Sequence, residues 1–88
     1  MRSVIFHKEA FGSLVDWSRE DPKMLRRIFE IIKAIDFTPF DGIGKPEPLK
    51  HDFKGWWSRR ITDKDRLVYK VTDDSITILS CKYHYDDK

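Results

Sequence analysis

The sequence predicts an α+β domain in which two N-terminal helices pack on a twisted, mostly antiparallel sheet of about four to five strands. Three observations carry that expectation. Apolar residues recur at three- and four-residue spacing between positions 8 and 37, the period of a helix buried along one face. From position 56 onward they alternate with polar residues in short runs separated by turn residues, the period of strands. Helices precede strands instead of interleaving with them, which favours segregated layers over parallel βαβ units.

Each element follows from its residues. Residues 3–7 read as a short apolar strand. Between residues 8 and 20, Ala10, Phe11, Leu14, Val15 and Trp17 form a helical stripe, although Gly12 costs that helix about 1 kcal/mol relative to Ala. Asp21-Pro22 marks a restart, with Asp as a cap and Pro at the first helical position. Met24, Leu25, Ile28, Phe29, Ile31, Ile32 and Ile35 then make a broad apolar face opposite Arg26, Arg27, Glu30 and Lys33. Thr38-Pro39 ends the helix.

Residues 40–48 are rich in Gly and Pro, show no period, and read as a loop. Short strands are expected over residues 50–53, 56–62 and 66–72, joined by turns at Lys54-Gly55 and Asp63-Lys64-Asp65. Asp73-Asp74-Ser75 closes a hairpin into a long last strand over residues 76–85. The expected organisation is one domain over residues 1–88: a short strand and helical hairpin in 1–37, and a sheet bearing the active site in 47–85.

Size and composition narrow the function. A chain of 88 residues buries only roughly 60–65% of its unfolded surface, so a deep cofactor cavity is not expected. No apolar run approaches the ~20 residues that span a bilayer, and the N-terminus lacks a secretory apolar core, so no membrane association and a cytoplasmic location are expected. One cysteine, Cys81, excludes an internal disulfide and reads as a buried strand residue. His7, His51 and His84 lack metal-ligand spacing, and Gly42-Ile43-Gly44-Lys45 lacks the length of a phosphate-binding loop; neither metal nor cofactor is expected. The net charge of +2 is unevenly placed: residues 1–44 are neutral, whereas residues 45–66 carry seven Lys/Arg against four acids. A basic middle in a neutral chain points to a localised anion-binding face.

Acid, base and cation candidates lie in that second half. Glu47 is held between Pro46 and Pro48, Arg66 opens a strand, and His84-Tyr85 closes the last one. Pairing a strand start with a strand end brings Arg66 toward His84. RNA cleavage without a metal needs such a set: a base for the ribose 2′-hydroxyl, a cation for the phosphate and an acid for the leaving 5′-oxygen. Taken singly, each is more commonly a surface charge. Trp56-Trp57 sends one ring to each face of a strand, and an outward ring beside Arg59 and Arg60 would stack on a base. These residues alone leave open a non-catalytic RNA- or partner-binding module built on residues 45–60.

The ordered segments Thr38-Pro39-Phe40, Gly44-Lys45-Pro46-Glu47-Pro48-Leu49-Lys50-His51, Gly55-Trp56-Trp57-Ser58-Arg59-Arg60-Ile61, Asp65-Arg66-Leu67-Val68-Tyr69 and Tyr83-His84-Tyr85 resemble the Txe/YoeB toxins. These belong to the RelE/ParE superfamily of bacterial type II toxin–antitoxin systems. The resemblance implies a microbial-ribonuclease-like fold and ribosome-dependent endoribonuclease action on mRNA in the decoding site of the 70S ribosome. By motif it implies Glu47 as general base, His84 as general acid and Arg66 as the cation on the transition state. Tyr85 and Lys50 become supporting residues and Arg60 a phosphate-orienting one; the basic, Trp-bearing stretch itself adds Lys45, Arg59 and Trp57 as expected RNA contacts. The implied partners are a YefM-like antitoxin and a second copy of the chain, with no metal required. A gyrase poison of the ParE type on the same scaffold would lack Glu47, Arg66 and His84-Tyr85. The chain departs from the pattern at Asp65, where some relatives carry His, and in Asp86-Asp87-Lys88 after Tyr85.

Overall fold

The computed structural model describes residues 1–82. Its elements run β1 (Ser3–Phe6), α1 (Lys8–Glu20), α2 (Lys23–Phe37), β2 (Glu47–Pro48), a 3-10 turn (His51–Phe53), β3 (Trp57–Arg60), β4 (Arg66–Val71) and β5 (Ser75–Ser80). The strands form one mixed sheet in the order β1-β5-β4-β3-β2, with β1 parallel to β5 and the other pairs antiparallel. Two helices on a five-stranded sheet is the predicted class.

Both helices fall where the apolar period places them, but the buried face of α1 is rotated from the one expected. It buries Ala10, Ser13 and Trp17, while Phe11 is 62% exposed and Val15 42%. Ser13 fits inside because its hydroxyl donates to the Glu9 carbonyl at 3.1 Å, leaving a small, satisfied side chain. α2 buries Ile28, Ile31, Ile32 and Ile35 against Leu67, Tyr69, Ile76 and Ile78 of the sheet. Asp21 does not cap α2 with its side chain; its backbone carbonyl accepts the Met24 N–H at 2.9 Å, and Pro22 is the residue preceding the helix.

A bulge separates β5 from simple alternation. Tyr69 faces Ile78, yet Val68 faces Ser80, so β5 carries one extra residue there. Ile76 and Ile78 are therefore followed on the helix-facing side by Cys81, while Ser80, opposite Val68, is buried on the other face. Trp17 Nε1 donates to the Cys81 carbonyl at 2.8 Å, and Lys82 Nζ reaches Glu20 Oε2 at 2.6 Å, which fastens the end of β5 to α1.

Several expected strands are corrected. Residues 50–53 hold a 3-10 turn, because His51 takes a left-handed φ of 54° that no strand accommodates. Glu47 and Pro48, expected in a loop, pair with Ser58 and Trp57 as edge strand β2. Pro48 is tolerated there because an edge strand has one side with no ladder to donate to. β3 is shorter than the expected 56–62. β5 ends at Ser80, and residues 83–85 of the expected last strand lie outside the described residues.

Candidate active site

Three of the expected site residues share the face of the sheet opposite the helices. Residues directly opposed across a ladder share a face, as do alternate residues along a strand. Glu47 opposes Ser58, Ser58 opposes Val68, and Arg60 opposes Arg66. Glu47, Arg60 and Arg66 therefore lie on one face, away from the Leu67–Tyr69 core side. Glu47 and Arg60 are exposed and Arg66 half-buried.

Two arginines directly across a ladder repel each other, a small cost in folding that an anion between them would remove. The turn before β4 fixes the second arginine. Thr62 Oγ1 donates to Asp65 Oδ2 at 2.8 Å and accepts the Asp65 N–H at 3.0 Å. The turn's carbonyls at Thr62, Asp63 and Asp65 then accept from Arg66 Nη1 at 3.0, 3.2 and 3.2 Å. Nε and Nη2 of Arg66 make no hydrogen bond among the described residues, which leaves donors for a phosphate. The Asp65 carboxylate is thus turned to Thr62 and forms no ion pair with Arg66 among the described residues. Lys45 and Lys50 stand exposed on either side of Glu47 in sequence, Lys45 with a left-handed φ of 50°.

Two expected RNA contacts are corrected. Arg59 has no exposed surface. Its Nε donates to Tyr69 Oη at 3.1 Å, Nη1 to the Ile43 carbonyl at 3.2 Å, and Nη2 to the Thr38 and Asp41 carbonyls at 2.6 and 2.7 Å. With its donors spent on the loop after α2, it cannot reach RNA. Trp57 shares the helix-facing side with Arg59; it packs on the core and lies 4.7 Å from the Phe40 ring. Trp56 is the ring on the other side, with Lys70 Nζ 5.7 Å from its centroid. Alternation holds the explanation: in Trp57-Ser58-Arg59-Arg60 every second residue faces the helices, so of two adjacent arginines only one reaches solvent. That doublet is the signal from which a buried arginine was legible.

His84 and Tyr85 lie outside the described residues. Cys81 Sγ lies 3.5 Å from the Ala10 carbonyl with no exposed surface, and burial pushes its thiol up to about 12, which removes it as a nucleophile. Among the described residues no group of three or more His, Cys, Asp or Glu is placed to hold a metal ion. Among them, too, no helix is long and apolar enough to cross a membrane.

A small α+β protein that presents an acid and a pair of arginines on one sheet face is of the class whose candidate site lies on the sheet and suits an anion. Comparison with known proteins narrows the class. Residues 6–85 match the model of the YoeB-like toxin of bacterial type II toxin–antitoxin systems. The chain is 51% identical to the toxin YoeB of Escherichia coli O6:H1 over 82 residues, covering 93% of this chain and 98% of that one. Its fold is similar to the YoeB dimer from Staphylococcus aureus, with a TM-score of 0.90, 45% identity, and coverage of 96% and 98%. It is also similar to the toxin in the heterotetrameric YoeB–YefM complex from the same organism, with a TM-score of 0.88, 44% identity, and coverage of 97% and 99%. The chain belongs to the YoeB-like toxins of type II toxin–antitoxin systems.

Proposed function

We propose that this toxin is a metal-independent, ribosome-dependent endoribonuclease that cleaves mRNA in the decoding site and so halts translation in the cytoplasm. The observation that carries the reading is that Glu47, Arg60 and Arg66 share the sheet face opposite the helices, with the two arginines directly across the ladder. Glu47 takes the proton from a ribose 2′-hydroxyl, and the 2′-oxygen attacks the adjacent phosphorus. Arg66 stabilises the charge that grows on the phosphoryl oxygens, and Arg60 orients the phosphate. The bond from phosphorus to the 5′-oxygen breaks as His84 protonates that oxygen, leaving a 2′,3′-cyclic phosphate and a free 5′-hydroxyl. Lys50, Tyr85 and Lys45 support the site.

The partners follow from the relatives. A YefM-like antitoxin binds the toxin and holds it inactive, a partner supported by the Staphylococcus aureus YoeB–YefM complex, and a second copy forms a homodimer, as in that organism's YoeB. The modest net charge of +2 suits an enzyme whose RNA is presented by the ribosome, since tight binding of free RNA needs many phosphate contacts. Primer extension on a defined mRNA, with and without 70S ribosomes, tests the reading with wild type, Glu47→Ala and His84→Gln. Wild type cleaves only with ribosomes, and both variants cut the message far more slowly, at a residual rate that single-turnover assays read. An intact message with wild type and ribosomes together returns the protein to a binding module.

A further inference from the structure

We infer that Arg59 is a positioning residue for Glu47, acting through the loop between α2 and β2; this rests on the ribonuclease reading above. The guanidinium lies beneath that loop and donates to three of its carbonyls, at Thr38, Asp41 and Ile43. Tyr69 extends the same grip: its hydroxyl accepts from Arg59 Nε and donates to the Pro39 carbonyl at 2.8 Å. Among the described residues no acid shares in these contacts, and the cation is held by backbone dipoles and one phenol. A buried charge held this way is costly to leave unpaired, and the loop has one arrangement that satisfies it.

The chain between this clamp and Glu47 is short and stiff. Only Gly44, Lys45 and Pro46 separate Ile43 from Glu47. Gly44 and Lys45 take positive φ angles of 81° and 50°, and Pro46 has its φ locked by its ring. The Gly44 carbonyl accepts the Arg60 N–H at 2.6 Å, and a Cβ on Gly44 would stand 3.0 Å from the Arg59 Cβ. The loop is pressed on Arg59 from Thr38 to Gly44. A displacement there is passed on to β2 because the intervening residues cannot absorb it. Misplacing a reacting group by about 1 Å costs on the order of 100-fold in rate.

The test is single-turnover mRNA cleavage on programmed 70S ribosomes with Arg59→Met, Arg59→Lys, Glu47→Ala and the double variant Glu47→Ala/Arg59→Met. Arg59→Met lowers the cleavage rate at saturating ribosome by about 100-fold, leaves ribosome affinity unchanged, and Arg59→Lys recovers part of the loss. In the Glu47→Ala background the second substitution has no further effect, since residues acting as a unit are not additive. Wild-type cleavage by folded Arg59→Met overturns the inference, as does an undiminished further loss in the double variant. Weakened ribosome binding with full cleavage at saturation overturns it as well. If Glu47→Ala cleaves like wild type, the base assignment itself fails and takes the inference with it. Should Arg59→Met not fold, Tyr69→Phe replaces it; a roughly tenfold loss that vanishes in the Glu47→Ala background sustains the inference, and a wild-type rate overturns it.

Discussion

The Tyr69 hydroxyl accepts the Arg59 Nε–H at 3.1 Å, deep in a core where neither residue has exposed surface. The pair joins the sheet to the loop that carries the chain from α2 to Glu47, because the same hydroxyl donates to Pro39. A cation in the core is thereby turned from a cost into the feature that selects one loop conformation.

Tyr69→Phe leaves the Arg59 Nε and the Pro39 carbonyl without partners, a loss of about 1–3 kcal/mol. Thermal unfolding followed by circular dichroism is expected at a midpoint at least about 4 °C lower. Burial raises the Tyr69 phenol above its usual value, with Arg59 opposing the rise. The stability due to the neutral phenol is complete below the unfolded value near 10 and is lost as pH rises through the folded one. Tyr69→Phe removes that share of the alkaline dependence, and denaturant titrations across that range read it.

Two glycines predict opposite outcomes for one substitution. Gly44 has a φ of +81°, and an added Cβ would stand 3.0 Å from the Arg59 Cβ and 3.2 Å from the Arg60 carbonyl. Gly44→Ala therefore costs roughly 1–2 kcal/mol in backbone conformation alone, before any crowding. Gly12 lies in α1 with open space around it, and Gly12→Ala gains about 0.5–1 kcal/mol. Paired melting curves should move in opposite directions.

Acid stability rests partly on the junction of the N-terminus with α2. The Arg2 backbone N–H donates to Asp36 Oδ1 at 3.1 Å, and the Arg2 guanidinium approaches the same oxygen at 3.2 Å. The backbone hydrogen bond, aided by the guanidinium against some desolvation, holds the Asp36 carboxyl below its usual value. The unfolded state then binds the extra proton first, so this stabilisation is full above about 3.8 and fades as pH falls through the lowered folded value. Asp36→Asn should flatten the acid limb of the stability curve while changing the alkaline limb little.

Cys81 is expected to resist thiol reagents in the native protein and to react once denaturant exposes it. Its folded value of about 12 lies above the unfolded 9.0, so its contribution is whole below 9 and is lost as pH rises toward 12. Rapid labelling of the native protein at neutral pH would contradict the burial that places this thiol behind α1.

The sequence by itself determined both helices, strand β4, the buried cysteine and the order of layers. These are local matters: a run such as Met24, Leu25, Ile28, Ile31, Ile32, Ile35 has only one period that hides it, whatever it packs against. It also placed Glu47, Arg60 and Arg66 among the candidates, as residue types suited to the chemistry. Tertiary structure decided what those residues face. A two-residue strand containing Pro48 has no period to read, and it exists because β3 offers partners for it. The bulge opposite Val68 puts Cys81 on the helix-facing side of the sheet and Ser80 on the other, a choice no local pattern announces. Arg59 and Arg60 are identical in type and adjacent in sequence, yet one is buried and the other meets solvent. Strand alternation guarantees that they differ; only the packing of the helices on one side of the sheet determines which is which.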